Sequence, residues 1–139
     1  VIAVAAINKS GEKACFSNYG SWVDISAYGT GIYSTVYNDI YTYMSGTSMA
    51  CPLVSGCFAL MFSYDGGISG EHAVAVLTLY TDDVYTANPE YIGQLGSGLV
   101  NPYRAISGLA LSKPGEVGDA DGGGNLSDFR MEPGPHTQG

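Results

Sequence analysis

The sequence predicts an α/β fold in which a mostly parallel sheet packs on one apolar helix. Three observations lead there. Val1 to Ile7 is an unbroken run of valine, isoleucine and alanine, the composition of a central parallel strand covered on both faces. Leu53 to Phe62 is apolar on nearly every side, as a helix surrounded by other elements must be. Further on, Ala73, Val76, Leu77 and Tyr80 recur at helical spacing.

The elements follow in order. Asn8–Glu12 is a polar turn after the first strand. Trp22–Ala27 reads as a second strand, Gly29 and Gly31 as a bend, and Ile32–Val36 as a third, short strand. Tyr43-Met44 ends a strand and enters a tight turn at Gly46, where glycine permits backbone angles that other residues resist. Thr47 and Ser48 are good N-cap types, and Pro52 is expected in a first helical turn, where it forfeits no hydrogen bond. The apolar helix comes next. A glycine-rich turn over 63–70 leads to a second helix that Ser69 and Glu71 open and that runs to Leu79. Thr81–Val84 and Asn88–Tyr91 are loops. After Leu109 the composition turns to glycine, proline, serine and acids, so the chain divides into residues 1–109 and a linker or disordered tail, 110–139.

With 139 residues, 45% of them hydrophobic, the chain suits one domain or part of one. Thirteen acids against five bases give a net charge of -8, which argues against nucleic acid or an anionic membrane surface as partner. No stretch is read as reaching the ~18 apolar residues of a membrane span. The chain opens on Val1 without initiator methionine or signal peptide and reads as a piece of something longer. Of the three cysteines, Cys51 and Cys57 face different sides of one helix, and all three are expected to be buried free thiols. Cys51 lies near Ser48, but no base stands nearby to lower its pKa.

The chemistry centres on Gly46-Thr47-Ser48-Met49-Ala50-Cys51-Pro52. A serine at the start of a buried helix sits where backbone N–H groups stabilise a developing oxyanion. The plainer reading is a capped core helix with an ordinary serine. The motif resembles the nucleophile motif of the subtilisin-like serine proteases, the subtilases. Val1-Ile2-Ala3-Val4, Phe16-Ser17-Asn18-Tyr19-Gly20, Val23-Asp24-Ile25, then Ile32, Ser34 and Thr35 resemble the segments that precede that motif in the family. Leu95–Asn101 with Ala105 resembles the family's closing element, so the likeness spans Val1 to about Leu109. There are two departures. Tyr28 stands where the family usually has proline, and Leu53 where it usually has histidine.

The resemblance implies the C-terminal portion of a partial subtilisin-like fold and a serine-type endopeptidase parent working through an acyl-enzyme. Ser48 is the nucleophile it implies. The triad Asp and His, and the asparagine of the oxyanion hole, belong to motifs ahead of the Val1 strand, so none is in this sequence. A serine hydroxyl is a weak nucleophile without them. The implied partners are a polypeptide substrate and the missing N-terminal half of the catalytic domain, with no nucleic acid and no membrane span. Neither cofactor nor metal is implied, and the parent is expected to be secreted or on the cell surface. The alternative is a catalytically dead remnant acting as a binding or structural module. Other candidates carry less. His72 reads as a surface residue of the second helix. Asp82 and Asp83 read as a solvated helix end rather than metal ligands. Gly118–Asp128 begins like a calcium loop with Asp119 and Asp121, but Gly123 and Arg130 occupy the fifth and twelfth ligand positions. His136 is expected to be solvated.

Overall fold

The computed structural model describes residues 1–112, and side chains through Leu111. Asp119, Asp121 and His136 lie outside the described residues. The first strand, β1 (Val4–Ile7), pairs in parallel with β2 (Ile25–Tyr28), Val4 opposite Ile25 and Ile7 opposite Tyr28. The pair is covered on both faces, which is why the run lacks polar alternation. Strand residues alternate between faces. Ala6, Ile25 and Ala27 belong to the core under the main helix, while Ala5 and Ile7 join a second core with Val23, Val84, Leu95 and Leu99. β2 is shorter than the expected Trp22–Ala27 strand, because Gly20 accepts from Val23 in a turn before it. The closing element meets β2 through a parallel bridge between Ser26 and Leu99, and Ser26 donates its hydroxyl to the Leu95 carbonyl, 2.8 Å.

β3 (Ile32–Val36) and β4 (Ile40–Met44) form an antiparallel hairpin of their own. The sequence reading recognised β3 and only the end of β4. The connection turns through Asn38 and Asp39, both in the left-handed region at φ 61° and 56°, a conformation these two residue types tolerate better than most.

The helix that follows, α1 (Thr47–Tyr64), buries Ala50, Val54, Cys57 and Met61. These recur at intervals of four, three and four, a single stripe that lies on β1 and β2. The expectation of burial on every side is corrected. Leu53, Leu60, Phe62 and Tyr64 are between 38% and 51% exposed, because residues 1–112 supply only the parallel pair and two further helices to cover α1. The expectation about membrane-length stretches is also corrected. α1 is long and apolar enough to cross a membrane, by length and composition only.

α2 (Gly70–Leu79) starts at Ser69 as read from sequence, with the Ser69 hydroxyl accepting from the His72 amide, 3.2 Å. α3 (Pro102–Ser112) starts at Asn101, whose side chain accepts from the Arg104 amide, 3.1 Å. It places Ala105 and Leu109 in the main core. The boundary expected after Leu109 falls in the last turn of α3. Of the thiols, only Cys57 is buried; Cys15 and Cys51 are exposed, against expectation.

A close joint that bears on the serine turn is at Gly29, directly after β2. A Cβ there would stand 2.7 Å from Ala6 Cβ, 2.8 Å from the Gly46 carbonyl oxygen and 3.3 Å from Ala50 Cβ. Gly29→Ala is therefore expected to destabilise the chain by about 1–3 kcal/mol, the usual size of an overpacking penalty. Urea unfolding followed by circular dichroism checks this, and an unchanged midpoint would show that the joint has slack.

Candidate active site around Ser48

The Gly46 amide donates to the Gly29 carbonyl at 2.7 Å. This bond sets the first turn of α1 against the C-terminal end of the parallel pair. Gly46 is the N-cap, at φ 162° and ψ 161°, and caps with no side chain. That is extended backbone open to any residue, and a Cβ on Gly46 would meet nothing nearer than 3.6 Å. The expectation of special backbone angles at Gly46 is thus corrected, and the residue that close approach restricts to glycine is Gly29.

Thr47 and Ser48 are the first two residues of the helix rather than its caps. Ser48 is exposed, and its hydroxyl is not used in capping. The first amides to reach a helical acceptor are those of Met49 and Ala50, 3.0 and 3.3 Å from the Gly46 oxygen. Those of Thr47 and Ser48 lie ahead of that ladder and point out of the helix end, where the macrodipole is positive. Pro52 is the sixth helical residue, past the first turn, and sits inside the helix. Its ring nitrogen has no hydrogen to give to the Ser48 carbonyl one turn back, so the proline does remove a helical bond. Ser48 is left with a free hydroxyl, an amide ahead of the ladder and a carbonyl without its helical donor.

Facing this turn is a cleft of about 300 Å³ between the hairpin and the start of α1. Ser34, Val36, Thr42 and Met44 line it from the hairpin, and Ser48 and Met49 from the helix. The hairpin register explains the choice, because Ser34 lies opposite Thr42 on one face. The other face carries Tyr33, Tyr41 and Tyr43, with the Tyr33 ring centroid 5.9 Å from Tyr41 and 4.8 Å from Tyr43. Sequence reasoning missed this hairpin wall. The Asn38-Asp39 turn was the signal that could have found it.

The other candidates fall elsewhere. His72 is the one histidine among the described residues. It is exposed in the first turn of α2, separated from Ser48 by the 18 residues of α1, roughly 27 Å at 1.5 Å per residue. Asp82 pairs with Arg104 Nε at 2.8 Å and accepts from Asn101 Nδ2 at 2.8 Å. Asp83 accepts from the amides of Tyr85 and Thr86, each 3.0 Å. The Thr86 side chain first, then those two amides, hold its carboxyl below the usual carboxylate range. Both aspartates thus serve the loop between α2 and the closing element. Asn88, passed over as a loop residue, is buried and joins three segments. It donates to the Gly11 and Val84 carbonyls, 2.8 and 2.7 Å, and accepts from the Lys13 amide, 2.7 Å.

What the arrangement does chemically is limited and definite. An exposed hydroxyl stands beside amides that favour negative charge, in a cleft open to an extended ligand. A glycine-capped helix with an exposed serine in its first turn, set against a parallel pair of strands, agrees with the serine motif read from the sequence. Residues 1–97 match the subtilase family, peptidase family S8, and the chain belongs to that family. It is 54% identical over 63 residues to a thermophilic serine proteinase of Bacillus sp. (strain AK1), covering 45% of this chain and 16% of that protein. It is 40% identical over 108 residues to the alkaline serine protease ver112 of Corniculantispora psalliotae, covering 78% and 26%. It is 36% identical over 114 residues to an extracellular protease of Xanthomonas campestris pv. campestris, covering 77% and 19%. Among solved structures, a protease from Pseudoalteromonas arctica superposes with a TM-score of 0.68 at 28% identity, over 77% of this chain and 35% of that one. The chain thus spans between 16% and 35% of the length of these four proteins.

The three thiols provide a check on the site's surroundings. Burial pushes the Cys57 thiol up, so less of it is thiolate at a given pH, and the thiolate is the reactive form. With iodoacetamide, Cys15 and Cys51 are expected to react first and Cys57 only at higher pH or on unfolding. Peptide mapping after timed alkylation reads this order, and equal rates at all three would contradict the placement of Cys57 under α1.

Proposed function

We propose that this chain is the C-terminal part of a subtilase catalytic domain whose longer parent is a serine-type endopeptidase, with Ser48 as the nucleophile. The observation that carries the reading is the exposed, uncapped Ser48 hydroxyl in a cleft at the start of α1. In the parent, a histidine from another segment takes the Ser48 proton as the hydroxyl attacks the scissile carbonyl. The tetrahedral oxyanion draws on the Ser48 amide and on a donor from elsewhere. An acyl-enzyme forms and water releases it. No metal or cofactor enters these steps. The substrate is a polypeptide, and residues 110–139 act as a linker or tail to the domain portion, 1–109. The remainder of the catalytic domain is the proposed partner of the open side of α1, where Leu60, Phe62 and Tyr64 stand exposed. A secreted or cell-surface location for the parent agrees with the name of the Xanthomonas relative.

A second reading, a catalytically silent remnant that binds rather than cleaves, draws on one observation. Among the described residues no imidazole stands near Ser48, and the 139-residue chain by itself is expected to be inert. Incubation with a fluorophosphonate probe is expected to leave Ser48 unlabelled; stoichiometric labelling would mean that a base is supplied from within the chain.

In a longer parent protein, Ser48→Ala is expected to remove nearly all peptidase activity with the fold retained. The expected size, roughly 10⁶-fold in kcat, is the value for subtilisin's own serine and is carried over from it. Activity within tenfold of the parent would show that another residue is the nucleophile and would favour the remnant reading for this segment.

A further inference from the structure

Three basic side chains lie among the described residues, Lys9, Lys13 and Arg104. Two are committed. Lys13 Nζ donates to the Ala14 and Ser17 carbonyls, 3.0 and 3.2 Å, and lies 5.2 and 5.0 Å from the ring centroids of Tyr19 and Tyr91. Arg104 holds Asp82. Lys9 is exposed, and among the described residues no hydrogen bond or ion pair engages its ammonium. In a chain of net charge -8, it is the one cationic side chain there that is free for a ligand.

Lys9 lines the mouth of a second, larger cleft of about 830 Å³, together with Tyr28, Thr30, Ile32, Tyr43 and Leu53. No acidic side chain lines it. Tyr28, Tyr43, Ile32 and Leu53 give its wall phenolic and aliphatic surface, beside the polar Asn8, Ser10 and Thr30. Tyr28 and Leu53, the two positions where the sequence departs from the usual subtilase residues, both face this cleft. Ile32 and Leu53 also line the cleft at Ser48, so the two clefts share a wall.

We propose that this second cleft binds an extended polypeptide segment carrying an aromatic or aliphatic side chain next to a carboxylate. The apolar side chain packs on Tyr28, Tyr43 and Leu53, and the carboxylate meets Lys9. The shared wall argues for a polypeptide rather than a small anion, since one extended strand advances about 3.3 Å per residue and can follow the surface from one cleft into the other. The unpaired Lys9 on an acidic chain sets the sign of the partner's charge. The phenols of Tyr28 and Tyr43 provide amphipathic contact area. This inference rests on the reading of Ser48 as a residue that handles polypeptides, and it gives that reading a sequence preference.

The test measures binding rather than cleavage. Fluorescence anisotropy of the 139-residue chain bearing Ser48→Ala is followed with two fluorescein-labelled octapeptides, one with a central Phe-Glu and one with Phe-Lys in glycine-serine flanks. Saturable binding is expected, with Phe-Glu favoured by about threefold to fivefold, the size expected for one exposed ion pair. Lys9→Glu is expected to reverse the preference, and Tyr43→Ala to weaken both peptides by about tenfold. Lys9 and Tyr43 are exposed, so both variants are expected to keep the parent circular dichroism spectrum. Equal affinity for the two peptides, no saturable binding, or a preference unmoved by Lys9→Glu would overturn the proposal. If Ser48 is not a nucleophile, the longer parent keeps its peptidase activity in the Ser48→Ala variant while this charge preference stays intact, so the two failures are distinguishable.

Discussion

The close approach of Gly29 to Gly46 is the constraint on which the rest depends. One amide-to-carbonyl bond of 2.7 Å joins the end of β2 to the N-cap of α1. It is possible because Gly29 has no Cβ and because Ala6 and Ala50 on either side are small. A larger residue at any of these three positions would push the helix start away from the sheet. The helix start carries Ser48, and the sheet end carries Gly31 and the hairpin that faces it. Gly31 in turn donates its amide to the Ser45 hydroxyl, 2.9 Å, closing the same joint from the other side. The position of the serine in its cleft is therefore set by glycine and alanine, residues with no chemistry of their own.

The local structure at Ser48 follows from what the helix fails to satisfy there. An N-terminal turn always leaves amides without intrahelical acceptors, and a side-chain cap would ordinarily occupy some of them. Here the cap is a glycine, so the amides of Thr47 and Ser48 face the cleft. Pro52 adds a second deficit by withholding a donor from the Ser48 carbonyl. Stability is given up in one turn, and the result is a turn with backbone dipoles left without helical partners.

Much of this was legible in the sequence, for identifiable reasons. The Val1–Ile7 run states burial on both faces, and β1 is buried on both faces. Ser69 and the 3.6-residue spacing after it place α2 to within a residue. The helix after the serine motif was legible from its apolar run, but its cap and the place of Pro52 within it were not. What escaped depends on contacts distant in sequence. The N-cap shifted from Thr47 or Ser48 to Gly46 because the Gly29 carbonyl, seventeen residues earlier, takes the Gly46 amide. Asn88 looks like any loop asparagine until Gly11, Lys13 and Val84 are brought around it. The hairpin was hidden because its tyrosine-rich strands show no buried face. Both sides of β4 are exposed, so alternation of polar and apolar residues gives no signal there.

The helix α1 ties these points together. Its sequence is apolar on every side, yet only the Ala50–Val54–Cys57–Met61 stripe is covered. Leu60 and Tyr64 on one flank of that stripe and Phe62 on the other stand exposed, each leaving apolar surface in water at about 25 cal/mol per Å². That composition agrees with the proposal above that further protein packs along α1. That is the same conclusion the chemistry reaches from the other end of the helix. Ser48 has the donors for an oxyanion but no base among the described residues, and α1 has the side chains of a core helix but half a core. The two deficits lie on one element, and a single additional layer of the domain packed along α1 would supply both.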